Sequence, residues 1–264
     1  MTSRWVPDDR VKGDAVLLHG LASLAGTWWR IGPGLAQRGW RTHAIELAGH
    51  GGRPRLPRPL DMDLLADEVI RQLAGPVDLL VGHSLGAVTA LAVATRRPDV
   101  ARALVLEDPP GPPGPNWMLF ADDVAAAAAL VRADRDAVIR QEREANPTWR
   151  DEDVRHAVDG IAAHDVERVV AGLRGPLGPG AWDPAAAIAA LDLPVLLIVA
   201  PDAPGDFAVD GGSALRGEAR AAVRAAVPAD RFVVMDGGHC LHRDLPDAWL
   251  DTVTAFADEV LQPG

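Results

Sequence analysis

The pentapeptide Gly82-His83-Ser84-Leu85-Gly86 constrains this chain most, because it sits between an apolar run, Val77 to Val81, and a helical pattern, Leu85 to Arg97. A strand that reverses into a helix within one residue forces Ser84 into a strained backbone. Side chains two positions to either side would clash there, which accounts for glycine at 82 and 86. The turn presents the Ser84 hydroxyl above the sheet. The helix starting beside it directs partial positive charge and free amides, Leu85 N–H first, at any oxyanion formed there.

The rest of the chain supplies the sheet that such a turn needs. Short apolar runs at Ala15 to His19, Thr42 to Leu47, Val77 to Val81, Ala103 to Leu106, Val195 to Val199 and Arg231 to Met235 read as strands buried on both faces. Helical patterns at Thr27 to Gln37, Asp61 to Ala74, Leu85 to Arg97, Ser213 to Val227 and Pro246 to Leu261 alternate with them. That alternation predicts parallel βαβ units, with crossover helices on both faces of a mostly parallel sheet.

One connection breaks the rhythm. From Pro109 to about Leu191 there is no convincing strand, and a loop that long carries structure of its own. A Pro/Gly stretch, Pro109 to Pro115, leads into helical patterns around Asp122 to Val131, Asp134 to Glu144 and Asp151 to His164. The expectation is a core of residues 1–110 and 191–264 with a helical cap inserted at 111–190.

Composition excludes several classes of function. At 264 residues, 48% hydrophobic and 24% charged, the chain can bury one large core. Its net charge of −11 disfavours nucleic acid and anionic membranes as partners. Cys240 is the single cysteine, so no intramolecular disulfide and no cysteine-based zinc cluster can form. Lys12, flanked by Val11 and Gly13, is the one lysine and cannot serve a Walker A loop. The N-terminus lacks a signal-like apolar stretch, and no run approaches the roughly 18 residues of a membrane span. A cytoplasmic protein is the resulting expectation.

Two further motifs join the serine turn. His19-Gly20-Leu21-Ala22 ends the first run, and Gly237-Gly238-His239-Cys240-Leu241-His242 follows the last one. Together with G-x-S-x-G in its strand-turn-helix setting, they resemble the cap-bearing serine hydrolases of the α/β-hydrolase superfamily. The resemblance implies Ser84 as nucleophile, His239 as general base, and the Leu21 and Leu85 amides as the oxyanion hole. Within it, His242, His83 and His50 read as structural histidines, and His43, His156 and His164 as ordinary helix or strand residues.

The acid of the triad has two candidates. The commoner family position follows the fifth run, but here Ala200-Pro201-Asp202-Ala203 puts alanine where the acid falls, with Asp202 one residue early and Asp206 three late. The minority position follows the fourth run, Ala103-Leu104-Val105-Leu106-Glu107-Asp108-Pro109. A glutamate ending a buried strand needs a partner, and His239 would be one. Glu107 is therefore taken as the acid, with Asp202 as the alternative.

Trp28, Trp29 and Trp117 are candidate linings of an apolar substrate pocket beside Ser84. The resemblance then implies hydrolysis of an ester or lactone of a small, largely apolar molecule through an acyl-enzyme, by a monomer or homodimer with no organic cofactor and no metal. A carbon–carbon bond hydrolase, a thioesterase, or a ligand receptor keeping a hydrolase fold are the alternatives.

Overall fold

The computed structural model describes residues 3–114, 116–205 and 212–261. The apolar runs pair into one seven-stranded sheet in the order β1-β3-β2-β4-β5-β6-β7. The strands are β1 (Ser3–Trp5), β2 (Gly13–Leu18), β3 (Trp40–Ile45), β4 (Val77–His83), β5 (Ala101–Glu107), β6 (Val195–Val199) and β7 (Phe232–Val234). Only β1 runs antiparallel, against β3, and the other pairs are parallel. The sequence reading has no counterpart of β1. Three residues carry no legible period, and only pairing with Thr42 to Ala44 makes them a strand.

Strand alternation divides the core in two. Leu18, Leu80, Leu104, Leu106 and Leu197 face the side covered by α2 (Met62–Gln72) and α3 (Leu85–Arg96). Leu17, Leu79, Val81, Val105 and Ile198 face the other side, with Ile31 and Leu35 of α1 (Ile31–Gln37). The expected helix from Thr27 is split there. A 3-10 turn at Ala25–Trp28 precedes α1, whose first turn carries Gly32, Pro33 and Gly34.

Between β5 and β6 lie α4 (Trp117–Ala133), α5 (Arg135–Ala145), α6 (Asp151–Ala162), α7 (Val166–Leu173) and α8 (Pro184–Ala189). The first three match the helices anticipated there. The last two are short and are set by aspartate caps, Asp165 accepting from the Arg168 amide and Asp183 from the Ala186 amide. Ile188 of α8 belongs to the main core, on the α3 side.

This insertion is tied to the core by backbone contact. The Asp165 amide donates to Gly49 O (2.7 Å), and the Gly52 amide donates to Ala163 O (3.1 Å). At Gly160 of α6 a Cβ would lie 2.5 Å from Ser23 Cα and 2.6 Å from Ala22 O, so only glycine lets the helix press on the loop after β2. After β6 the chain continues through α9 (Gly217–Ala225), β7, α10 (Leu241–Asp244) and α11 (Pro246–Val260). Trp249, Leu250, Val253 and Phe256 of α11 complete the α1 side. No helix among the described residues is long and apolar enough to cross a membrane.

Candidate active site

Three non-glycine residues among those described have positive φ: Ala22 (50°), Ser84 (52°) and Asp108 (41°). Each follows the carboxyl end of a parallel strand, β2, β4 or β5 respectively. Left-handed backbone is costly for residues with a Cβ, and its concentration at one edge of the sheet makes that edge the candidate site. Carboxyl ends of parallel strands are also where ligands bind in open α/β sheets.

The Ser84 turn is built as its glycines require. A Cβ at Gly82 would lie 2.2 Å from Gly86 O, and one at Gly86 would lie 2.3 Å from Leu18 O. The Ser84 amide donates to Glu107 O at 2.9 Å, locking the turn to the neighbouring strand.

His83 and Glu107 are register partners in β4 and β5, so the next residues, Ser84 and Asp108, leave their strands side by side. Asp108, not Glu107, meets the candidate base: His239 Nδ1 donates to Asp108 Oδ2 at 2.6 Å. The Asp108 carboxylate is fully buried and well supplied with donors. Oδ2 also accepts from the Ala214 amide (2.7 Å), and Oδ1 from Ser213 Oγ (2.6 Å) and the Ala200 amide (3.3 Å). Those donors replace the water that burial removes. With Nδ1 as the donor to Asp108, Nε2 is the acceptor nitrogen of the imidazole tautomer.

The expectation for Glu107 is therefore corrected. Glu107 shares its strand parity with Ala103 and Val105, which face the α1 and α11 side. There Oε1 accepts from the His242 amide (3.0 Å) and His242 Nδ1 (2.8 Å), and Oε2 accepts from Trp249 Nε1 (3.0 Å). Asp202, the alternative, is exposed and remote from this role, because the loop after β6 contributes the Ala200 amide to Asp108 instead. Asp206 lies outside the described residues.

The other histidines have structural surroundings. His83 Nε2 donates to the His239 carbonyl at 3.0 Å, with ring centroids 4.6 Å apart. Burial holds both His83 and His242 well below the ordinary imidazole range, with the Arg243 charge adding to the shift in each. His83, Glu107 and His242 offer ligand atoms within 4.8 Å of one another. The donors and acceptors just described already engage Glu107, His242 Nδ1 and His83 Nε2, which fits a satisfied hydrogen-bond set better than an ion site. His50 Nδ1 donates to Ala48 O and its ring stacks on His164, within the turns that join core and insertion. Cys240 adjoins His239, but burial pushes its thiol up to about 12, so it is no nucleophile.

Ser84 and His239 line one cavity of about 390 Å³, shared by Leu21 of the core and by Phe120, Val124 and Ile161 of the inserted helices. The three tryptophans expected there are elsewhere. Trp28 is wholly buried against His242 and Trp249. Trp29 Nε1 donates to Asp153 (2.8 Å), and Trp117 Nε1 donates to Leu173 O (2.9 Å) while its ring packs on Phe120 and Trp182. The Trp29 and Trp117 indole N–H groups find acceptors in the packing, whereas Trp28 is held by ring contacts alone, its Nε1 buried with no hydrogen-bond partner among the described residues. The residue missed by sequence reasoning is Asp108. For Asp108 the signal was available, since it stands one residue beyond its strand as Ser84 does beyond its own.

Residues 15–252 match the alpha/beta hydrolase family. A pimeloyl-[acyl-carrier protein] methyl ester esterase of Chromobacterium violaceum is 39% identical over 93 residues, which span 35% of this chain and 35% of that one. The chain thus matches about a third of that relative's length. A thermophilic esterase from Thermogutta terrifontis has a TM-score of 0.72 at 20% identity, covering 99% of this chain and 94% of that one. The enol-lactonase from Burkholderia xenovorans LB400 has a TM-score of 0.70 at 17% identity, covering 97% and 95%. These two likenesses show the α/β-hydrolase fold.

Proposed function

Because the chain belongs to the alpha/beta hydrolase family, we propose that it is a serine hydrolase of carboxylic esters or lactones, with Ser84, His239 and Asp108 as its triad. The observation that carries this reading is one cavity holding both Ser84 and His239, with a buried Asp108 bonded to His239 Nδ1. The ester-acting relative named above supports the bond class.

In the proposed reaction, His239 Nε2 takes the Ser84 hydroxyl proton as Oγ attacks the carbonyl carbon. The tetrahedral oxyanion is held by the Leu21 and Leu85 amides, the latter at the N-terminus of α3. Collapse breaks the bond to the leaving oxygen, which receives the proton from His239. Water, deprotonated by His239, attacks the acyl-enzyme and releases the acid while Ser84 regains its proton. Asp108 holds the imidazole tautomer and stabilises the imidazolium. Helices α4 to α7 serve as the cap over this site, and the apolar side chains they supply to the cavity favour hydrocarbon next to the scissile group.

The test is intact-mass analysis after exposure to a fluorophosphonate probe. One covalent adduct on the parent protein and none on Ser84→Ala is the expected result. An unlabelled parent, or equal labelling of both, would overturn the assignment of Ser84.

A further inference from the structure

Arg243 is 4% exposed, lies four residues after His239 in α10, and lines the same cavity as Ser84. A buried guanidinium ordinarily has a carboxylate partner, because its desolvation is otherwise uncompensated. Arg243 has none within ion-pair distance among the described residues. Its Nε and Nη2 both donate to the neutral Thr27 Oγ1 (3.0 and 2.8 Å), and its plane lies over the Trp149 ring at 4.5 Å. Thr27 has no charge to offer: its own proton goes to His242 Nε2 (2.9 Å), whose Nδ1–H is given to Glu107.

Neither described acid that lines the cavity makes an ion pair with Arg243. Asp123 of α4 is exposed at the rim. Glu142 of α5 accepts from Asn146 Nδ2 (3.2 Å), and burial raises its carboxyl above the ordinary range despite the opposing Arg243 charge. Among the described lining residues Arg243 is the one lysine or arginine, and the walls it shares with Ser84 include the apolar Phe120, Val124 and Ile161.

We infer that the ester cleaved at Ser84 carries a free carboxylate, seated on Arg243 across the apolar part of the cavity. This deepens the proposed function and rests on it. A guanidinium fixed by Thr27 and Trp149 is pre-oriented to receive an anion, and a charge-assisted hydrogen bond in a site screened from water favours a carboxylated substrate over its neutral analogue. The carboxylate belongs either to the acyl group or to the leaving alcohol, and the two are separable by experiment.

The experiment compares kcat/KM for paired esters. 4-Nitrophenyl hydrogen glutarate against 4-nitrophenyl valerate tests an acyl-side carboxylate, and 4-acetoxybenzoate against phenyl acetate tests a leaving-side one. The parent protein should prefer the anion in one pair by about tenfold or more, mostly through KM. Arg243→Gln should abolish that preference and Arg243→Lys should restore part of it. Hydrolysis of the neutral esters with no anion preference in either pair, or a preference that survives Arg243→Gln, overturns the carboxylate inference and leaves the hydrolase reading intact. Absence of any hydrolysis together with absence of fluorophosphonate labelling overturns both. Should Arg243→Gln not fold, protection of the parent's Ser84 from the probe is decisive: glutarate should protect, and glutaramide should not. Equal protection, or none, counts against the inference.

Discussion

Two histidine–carboxylate pairs stand close together in this molecule, and their acids are consecutive residues. Asp108 pairs with His239, and Glu107 pairs with His242. His239 keeps 15% of its side chain accessible and borders the cavity, whereas His242 is 1% accessible beneath Trp28 and Trp249. The chemistry of the groups is nearly the same in both. What separates them is one step along the chain: Glu107 is the last residue of a strand and must point to one face, while Asp108 has left the strand at φ 41° and turns its carboxylate along the sheet edge. Parity, not residue type, divides the pair that borders the cavity from the one buried in the core.

That contrast can be broken by exchanging charge for amide on each acid. Asp108→Asn should lower kcat on any ester substrate by about four orders of magnitude, because an amide no longer secures the donor tautomer of His239. Steady-state turnover checks this, and a loss under tenfold would return the acid role to another residue. Glu107→Gln should act on the fold instead. An amide in place of the carboxylate cannot accept at both positions, so a buried donor of His242 or Trp249 loses its partner at a cost of about 1–3 kcal/mol, a fall in Tm of roughly 5 °C for a chain of this size. Turnover of the folded fraction should stay within about tenfold, and a Tm unchanged beside collapsed kcat would reverse the two assignments.

Acid titration sharpens the same comparison. Burial depresses His50, His83 and His242 well below 6.5, so as pH falls through 6.5 the unfolded chain takes up protons that the folded one refuses. Stability is then lost on acidification, by up to about 1.4 kcal/mol per pH unit for each histidine that stays neutral. Glu107 runs the other way. Its raised carboxyl contributes stability below 4.5 that is lost as pH rises through its folded value. Three histidines against one carboxyl make the net sign destabilising, so calorimetric Tm should decline from pH 7.5 to pH 5.5. The smallest effect belongs to Asp202→Asn. With the exposed Asp202 outside the site, the expected result is unchanged turnover and unchanged Tm, and a large loss of kcat would reinstate the loop after β6.

Much of the architecture was legible in advance because it depends on local pattern. Buried parallel strands are apolar throughout, crossover helices are periodic, and the glycines at 82 and 86 are demanded by close backbone approach. The serine and histidine of the site were equally legible, since each ends a strand inside a short motif. The carboxylate facing His239 was read one residue early, because two adjacent carboxylates at one strand end differ only in direction, and direction follows from register with β4. The tryptophans misled for a related reason. Aromatic side chains suit a pocket wall and a core equally well; an acceptor for the indole N–H holds Trp29 and Trp117 in the packing, and ring contacts hold Trp28.

The sequence by itself determined the parallel sheet, the serine turn, the histidine loop and the helical insertion, because each is written in contiguous residues whose spacing has one low-energy solution. Only the tertiary structure decided which carboxylate meets which histidine, and which side chains line the cavity with Ser84. Those contacts join residues as far apart as Asp108 and His239, and no local energy term distinguishes their partners until sheet register and helix packing have set the distances.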